Sequence, residues 1–479
     1  MHNALNYQKT FKKLQIDKNP LYPRNDMGVS RLFFDLHKNI ITFIREANVW
    51  YCFNGKYWQE DKNCLFVSEL CKDFAKAYAD YAQTADGNAS NGDTFIEYAG
   101  DFHKRQRRES LISDARSVEP KSITDFDTNK YLINCQNGVF DLSTMSFRNH
   151  NATDKITKIA RVEYDKSIIC KRWLSFIDEI MLGDKDNIRF LQKALAYALN
   201  GNTSQECLFI LYGPSTRNGK STLAETMTYL LGDYAMTMQP QTLARCKTSG
   251  AAPSPDIIRL KGVRFISVPE PPKGLELNAA LVKQFSGGDT QSGRFLYQNI
   301  KEYLPEFKLF INANYLPRIS DDTVFVSGRI KAIPFDRHFT PEEQDKGLKK
   351  LFREPENMSG ILNWLLDGYK MYADEGLEMP AKVYATTEEY RKEELRTDFF
   401  DKLEIFFNEF LIPAPNMRLK TSEIYEYYVK WSTGNAYNSM STQDFVGELR
   451  RRYAVKRDKN MGNVVIGIKL KAENTNGDT

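Results

Sequence analysis

The sequence predicts an α/β protein built around a mostly parallel sheet, and three observations carry that prediction. Four short apolar runs of strand length, 207–212, 263–268, 307–313 and 330–335, alternate with helical stretches such as 221–231 and 278–285. Buried strands separated by helices assemble into a sheet covered on both faces. On either side the alternation stops: residues 28–131 read mainly helical, and residues 399–479 read as three helices followed by strand-like pieces. Finally, 479 residues with 42% hydrophobic and 27% charged side chains can bury several cores, enough for about three domains.

The first part, expected at 1–165, carries amphipathic helical runs at 31–45 and 68–83. Between them Val49-Trp50-Tyr51-Cys52-Phe53-Asn54-Gly55-Lys56-Tyr57-Trp58 reads as a hairpin, because Asn-Gly accepts the positive φ values of a tight turn between two aromatic strands. A second such piece, 131–149, contains Asn137-Gly138. Helical spacing returns at 171–199 and leads into the α/β core, expected at 166–345. Residues 346–398 should form a helical lid and linker, with charge crowded between Thr386 and Arg396. In 399–479 helices are expected at 399–410, 422–431 and 442–452, the last opened by the capping box Ser441-x-x-Asp444, with a strand at 464–468. Three helices followed by a hairpin suggest a winged helix.

Composition excludes several classes. No apolar run approaches the ~18 residues that span a bilayer, and the N-terminus lacks the apolar stretch of a secretory signal, which points to the cytoplasm. The seven cysteines never fall at C-x-x-C spacing, which removes zinc-ribbon and thioredoxin readings. The five histidines are too scattered for a His-x-His nuclease or an H-E-x-x-H protease. With 66 basic against 62 acidic residues, the net charge of +4 does not announce a nucleic-acid partner, so local sites must.

The strongest local signal is Gly213-Pro214-Ser215-Thr216-Arg217-Asn218-Gly219-Lys220-Ser221, which matches G-x-x-x-x-G-K-[ST]. It follows an apolar strand and, from Thr222, opens a helix, an arrangement that aims backbone N–H groups and the positive helix end at phosphate oxygens. Lys220 would reach the β- and γ-phosphates and Ser221 would ligate Mg²⁺, so the sequence predicts nucleoside triphosphate binding. The next strand ends in Glu270, a carboxylate that could orient the attacking water and hold Mg²⁺ through its shell, or else a solvated strand end. Asn314 ends the third strand, where it could contact the γ-phosphate or only form a turn. Arg329 leads into the fourth, either as a finger that stabilises transition-state charge or as a surface ion pair.

Taken in order, the 213–222 loop, Arg264 to Glu270, Lys283-Gln284-Phe285-Ser286-Gly287-Gly288-Asp289-Thr290 through Arg294, the strand ending Asn314-Tyr315-Leu316-Pro317, and Gly328-Arg329 to Phe335 resemble the superfamily 3 helicases, specifically the phage, plasmid and poxvirus primase-helicase branch. The likeness extends to the Trp50–Trp58 hairpin, to Asn137-Gly138-Val139-Phe140-Asp141-Leu142 and to the C-terminal unit, and covers nearly all the chain from about residue 28. One departure stands out: some viral members carry two adjacent acids after the acidic strand, whereas here Glu270 is followed by Pro271 and Pro272. The resemblance implies an AAA+-type hexameric ring that encircles DNA and typically moves 3′ to 5′. It implies that Lys220 and Ser221 bind ATP and Mg²⁺, that Glu270 polarises water, that Asn314 senses the γ-phosphate, and that Arg329 reaches a neighbouring subunit's site. A hairpin with its tip in the central pore is implied at 295–304, bringing Tyr297 as a stacking face and Lys301 as a phosphate partner, or else an exposed loop with an incidental lysine.

A second nucleic-acid candidate is the cluster Arg450-Arg451-Arg452, Lys456, Arg457 and Lys459 at the end of a helix and on the following wing, which otherwise is a solvated basic face. Residues 104–108 form a third basic run on a helical pattern. Asp125-Phe126-Asp127 is the one acidic pair in the first part with the spacing a polymerising primase needs, and it falls in polar loop sequence, so intrinsic primase activity is not expected and the primase half is either absent or a separate protein. The reading is therefore an ATP-dependent replicative DNA helicase of a phage or mobile element, with single- and double-stranded DNA, other copies of itself, and a primase or host replication proteins as partners. A DNA-binding initiator in which ATP acts only as an assembly switch is the alternative. A phosphate-loop kinase would need an Arg-rich lid, and the sequence has none.

Overall fold

A computed structural model describes residues 6–85, 92–245, 259–293, 301–435, 437 and 439–471. Its centre is a five-stranded sheet of β1 (Leu208–Tyr212), β2 (Ala235–Thr237), β3 (Phe265–Val268), β4 (Lys308–Ala313) and β5 (Ile330–Pro334), in the order β5-β1-β4-β3-β2 with every pairing parallel. Alternation along the strands divides their side chains between two cores. Phe209, Phe265 and Phe310 stack on one face at centroid distances of 4.7 and 4.8 Å, beneath Trp173, Leu191, Met227 and Ile361. Leu208, Ile210, Ile266 and Ile311 leave the other face toward Val282, Phe285 and Tyr390. Burying each such side chain contributes about 1.5–3 kcal/mol, so both faces must be covered, as the continuous apolar runs require.

Several elements differ from expectation. β2 is a fifth strand, absent from the apolar runs because Ala235-Met236-Thr237 is a short, incompletely buried edge held only by β3. The run at 31–45 divides into helix Asp26–His37 and strand Ile41–Ile44, whose β-branched and aromatic side chains pair with Val49–Phe53 beside the expected Asn-Gly hairpin. The charged stretch 386–396 and the helix expected at 399–410 are one helix, Ala381–Phe410. This helix covers the β5 edge: Thr387 Oγ1 accepts from Ala332 N at 3.0 Å, and the buried Tyr390 hydroxyl donates to the Pro317 carbonyl.

The first residues form their own apolar cluster around Phe11, Phe33, Phe74 and Phe102. The last form another, in which helices Thr421–Gly434 and Thr442–Arg452 pack on a sheet ordered Leu411–Lys420, Gly462–Leu470, Val455–Asp458. Strand Leu411–Lys420 was not expected, since it carries Pro413 and Pro415. It is tolerated because it lies at an edge and its register shifts between Pro413 and Arg418. Among the described residues no helix is long and apolar enough to cross a membrane.

A buried polar knot ties the N-terminal part to the sheet. Arg264, just before β3, donates through Nη1 to the carbonyls of Leu132 (2.9 Å) and Leu199 (2.6 Å) and lies 4.6 Å over the Tyr234 ring. Lys308 Nζ donates to the Asn200 carbonyl at 2.5 Å and lies 4.4 Å over Tyr197, and burial together with the nearby Arg264 pulls its pKa well down. Arg264→Leu strands two buried carbonyls, so the expected loss is about 3 kcal/mol, read as a fall in the urea midpoint. A change under about 0.5 kcal/mol would remove Arg264 from the joint.

Candidate functional site

In an open parallel sheet the loops leaving the carboxyl ends of the strands share one rim, and ligands bind there. Here β1 ends at Tyr212, and the loop 213–219 turns into helix Lys220–Leu231. Two glycines permit the turn. A Cβ on Gly213 would stand 2.3 Å from Asn218 Nδ2 and 2.6 Å from the Phe335 carbonyl oxygen. Gly219 has φ 87°, and its Cβ would meet Ile180 Cγ2 at 2.4 Å. The buried Asn218 donates to the Ser215 carbonyl at 2.7 Å, and Phe339 N donates to the Arg217 carbonyl at 2.9 Å. His338 Nδ1 is 2.8 Å from the Thr216 carbonyl oxygen. Pro214 and Ser221 stand exposed, and Thr222 is half-buried one residue further along the helix.

Three strand ends meet at this loop. Lys220, buried at the start of its helix, donates through Nζ to the Gly213 carbonyl at 3.2 Å and to Asn314 Oδ1 at 2.8 Å. Asn314 Nδ2 in turn donates to Glu270 Oε2 at 2.8 Å. Lys220, Asn314 and Glu270 are thus one hydrogen-bonded chain, assembled from the elements after β1, β4 and β3. Burial pulls the Lys220 pKa from 10.5 down to about 8, against the opposing pull of the Glu270 charge. A buried ammonium bonded to two neutral oxygens lacks a matching negative charge, and an anion arriving there would supply it.

A cavity of about 680 Å³ opens in front of this chain, with Ser221, Ser267 and Asn312 also in its lining. Asn312 is two residues before Asn314, so both leave the same face of β4, a spacing legible in the sequence. Its Nδ2 donates to the Val268 carbonyl at 3.4 Å, while its buried Oδ1 has no partner among the described residues. Arg161 and Arg353 line the same cavity and lie 5.0 and 4.9 Å from the Tyr229 ring centroid. They come from distant parts of the chain, and no local signal marks them. A second cavity of about 340 Å³ touches Gly219 and Thr222 and is otherwise lined by Phe176, Phe339 and Leu348 among others.

Other candidate residues lie elsewhere. Arg329 precedes β5, on the amino-terminal rim, where its carbonyl accepts from Leu208 N at 2.8 Å. The five residues of β1 put about 15 Å between that rim and the loop. Its guanidinium donates to Ser286 Oγ at 2.9 Å and pairs with Glu206 at 2.7 Å, so it takes no part in this chain's own cluster. Strands Gln291–Gly293 and Lys301–Tyr303 pair antiparallel with Lys301 opposite Gly293, while Tyr297 lies outside the described residues. Of the C-terminal cluster, Arg451 pairs with Glu448, and Arg452 pairs with Glu404 at 3.0 Å. Arg450, Lys456 and Arg457 are exposed and have no ion-pair partner among the described residues. Asp125 accepts from Ser122 N and Asp127 from Thr157, so each carboxylate serves its own turn.

The family model described as D5 N terminal like matches residues 30–182. Over 459 residues the chain is 26% identical to the "Putative helicase L207/L206" of Acanthamoeba polyphaga mimivirus, covering 87% of this chain and 47% of that protein. It is also 28% identical over 279 residues to the "Putative helicase 022R" of Frog virus 3 (isolate Goorha), covering 55% of this chain and 28% of that one. Residues 30–182 thus match the D5 N terminal like family, and most of the chain is similar to viral proteins named putative helicases. The "Putative helicase V13" of Sputnik virophage is 24% identical over 348 residues, 68% of this chain and 44% of its own length. The chain thus spans less than half the length of the curated relatives it matches. Among solved structures the apo NrS-1 C terminal region aligns with 92% of this chain and 99% of its own at 12% identity, with a TM-score of 0.45, too low to establish a common fold.

Proposed function

We propose that this chain is the motor of an ATP-dependent, ring-forming DNA helicase that serves replication of a virus-like or mobile element. In this reading an AAA+-type core (166–345) lies between a mainly helical domain (1–165) and, beyond a helical segment (346–398), a C-terminal winged helix (399–479). The Lys220–Asn314–Glu270 chain carries the proposal, because it gathers a phosphate cation, an amide and a carboxylate at the mouth of a glycine loop. Loop N–H groups and Lys220 hold the β- and γ-phosphates, Asn314 contacts the γ-phosphate, and Glu270 takes the proton of the attacking water. The second cavity, where Phe176, Phe339 and Leu348 lie among charged side chains such as Arg172 and Glu179, is the proposed seat of the base.

The Ser221 hydroxyl and Glu270 carboxylate are hard oxygen donors that fit Mg²⁺. Among the described residues no group of three or more His, Cys, Asp or Glu could hold a metal ion, which suits an ion carried largely by the nucleotide's phosphates. When bound, Mg²⁺ neutralises charge on the transferring phosphoryl group. The names of the viral relatives support helicase action, and DNA is the proposed substrate, with Lys301, Tyr297 and the Arg450–Arg452, Lys456 and Arg457 cluster as the proposed contacts.

The test is ATP turnover with and without single-stranded DNA, together with displacement of a labelled strand from a forked duplex. The expected result is stimulated turnover and ATP-dependent displacement. Duplex binding with turnover indifferent to DNA and no displacement would replace the motor by an ATP-switched initiator.

A further inference from the structure

The basic run at 104–108 is used by neither the nucleotide site nor the C-terminal cluster. Helix Arg105–Ala115 and its C-cap Arg116 place Arg105, Arg108, Ile112 and Arg116 at successive spacings of three, four and four residues, hence on one face. That face lines a cavity of about 570 Å³, whose lining also includes Ser68 and Lys72 from helix Leu65–Ala85. Four cations meet there with one carboxylate, Glu109. Glu109 accepts from Arg105 at 2.7 Å, and Lys72 pairs with Glu69 at 2.6 Å. Arg108 is spent on structure, donating to the carbonyls of Phe102 and His103. Arg116 lies 5.5 Å over the Phe43 ring and, among the described residues, has no carboxylate or carbonyl partner for its guanidinium.

The length of this face decides the ligand. Eleven residues separate Arg105 from Arg116, about 16 Å along a helix, so a lone phosphate could engage only one end. A nucleic-acid strand, whose phosphates recur every few ångströms, can meet both. We propose that this groove binds the phosphate backbone of DNA, as a contact separate from the pore hairpin and the C-terminal unit. Its donors are charged side chains and small polar groups that suit phosphate, so recognition is indifferent to sequence. The proposal rests on the helicase reading only for the identity of the polyanion.

The test uses the full chain carrying R105Q and R116Q, with Arg108 left in place because it braces the backbone. Binding of a labelled single strand and of a labelled duplex is measured across a salt series. Loss of two phosphate contacts should weaken binding about tenfold at moderate salt. It should also flatten the slope of log K against log salt by about 1.4 for the single strand or about 1.8 for the duplex, and the arm that responds names the form bound. ATP turnover without DNA should be unchanged, which reports an intact fold, and R105K with R116K should keep both affinity and slope. Unchanged affinity and slope on both DNAs, with normal DNA-stimulated turnover, overturns the groove alone and hands it to an acidic protein segment. Failure of the unsubstituted protein to bind either DNA overturns the groove and the helicase reading together.

Discussion

Glu270→Gln should leave ATP binding nearly intact and slow its hydrolysis by at least about a hundredfold, the order lost with a positioned general base. The amide keeps the shape of the carboxylate and its contact with Asn314, made at 2.8 Å, but cannot take a proton. Lys220→Ala should instead abolish tight binding, since it removes the buried cation proposed to face the phosphates. Lys220 also sets the pH dependence. Its pKa in the folded protein is about 8, against an ordinary 10.5, so between those values the unfolded chain holds a proton that the folded one has released. Stability of the nucleotide-free protein should therefore rise across that window. ATP binding needs the charged form, so affinity should be flat below pH 8 and weaken by up to about tenfold per unit above it. Calorimetric ATP titration of the unsubstituted protein and both variants across a pH series, with unfolding of the nucleotide-free unsubstituted protein over the same series, checks each part, and near-normal hydrolysis by Glu270→Gln would remove that residue from the mechanism.

Mixing two dead proteins should restore activity. Arg329 lies on the rim opposite the phosphate loop and is held there by Ser286 and Glu206, so it cannot reach the γ-phosphate of its own chain. As a finger acting across a ring, Arg329→Ala should bind ATP yet lose about a thousandfold or more in turnover. Arg329→Ala mixed with Lys220→Ala creates interfaces with an intact loop on one side and an intact arginine on the other, and these should hydrolyse ATP. A mixture as inactive as its components, under conditions where subunits exchange, would make Arg329 a structural residue of the Ser286–Glu206 joint.

The legible parts of this protein are those whose physics is local. A strand buried on both faces must be apolar along its length, so β1, β3, β4 and β5 announce themselves, and a loop that must turn without Cβ atoms needs Gly213 and Gly219 where they stand. The six cations of the C-terminal cluster were equally readable as residues, but not which would remain unpaired. Arg451 and Arg452 are drawn off by Glu448 and by the distant Glu404, which leaves Arg450, Lys456 and Arg457 exposed. β2 and strand Leu411–Lys420 were hidden for a related reason: an edge strand needs neither a continuous apolar run nor freedom from proline, and only its partner defines it.

Sequence order and residue type were enough to name Lys220, Glu270 and Asn314, because a phosphate loop and polar strand ends follow from local chain geometry. Their union did not follow. Parallel pairing in the order β5-β1-β4-β3-β2 sets β4 between β1 and β3 and so makes Asn314 the bridge between lysine and carboxylate. Likewise only folding sends Arg329 to the far rim, joins Arg264 to the Leu132 carbonyl, and brings Arg161 and Arg353 to one tyrosine. Contacts between residues far apart in the chain depend on long-range pairing and burial, which no short window of residues encodes.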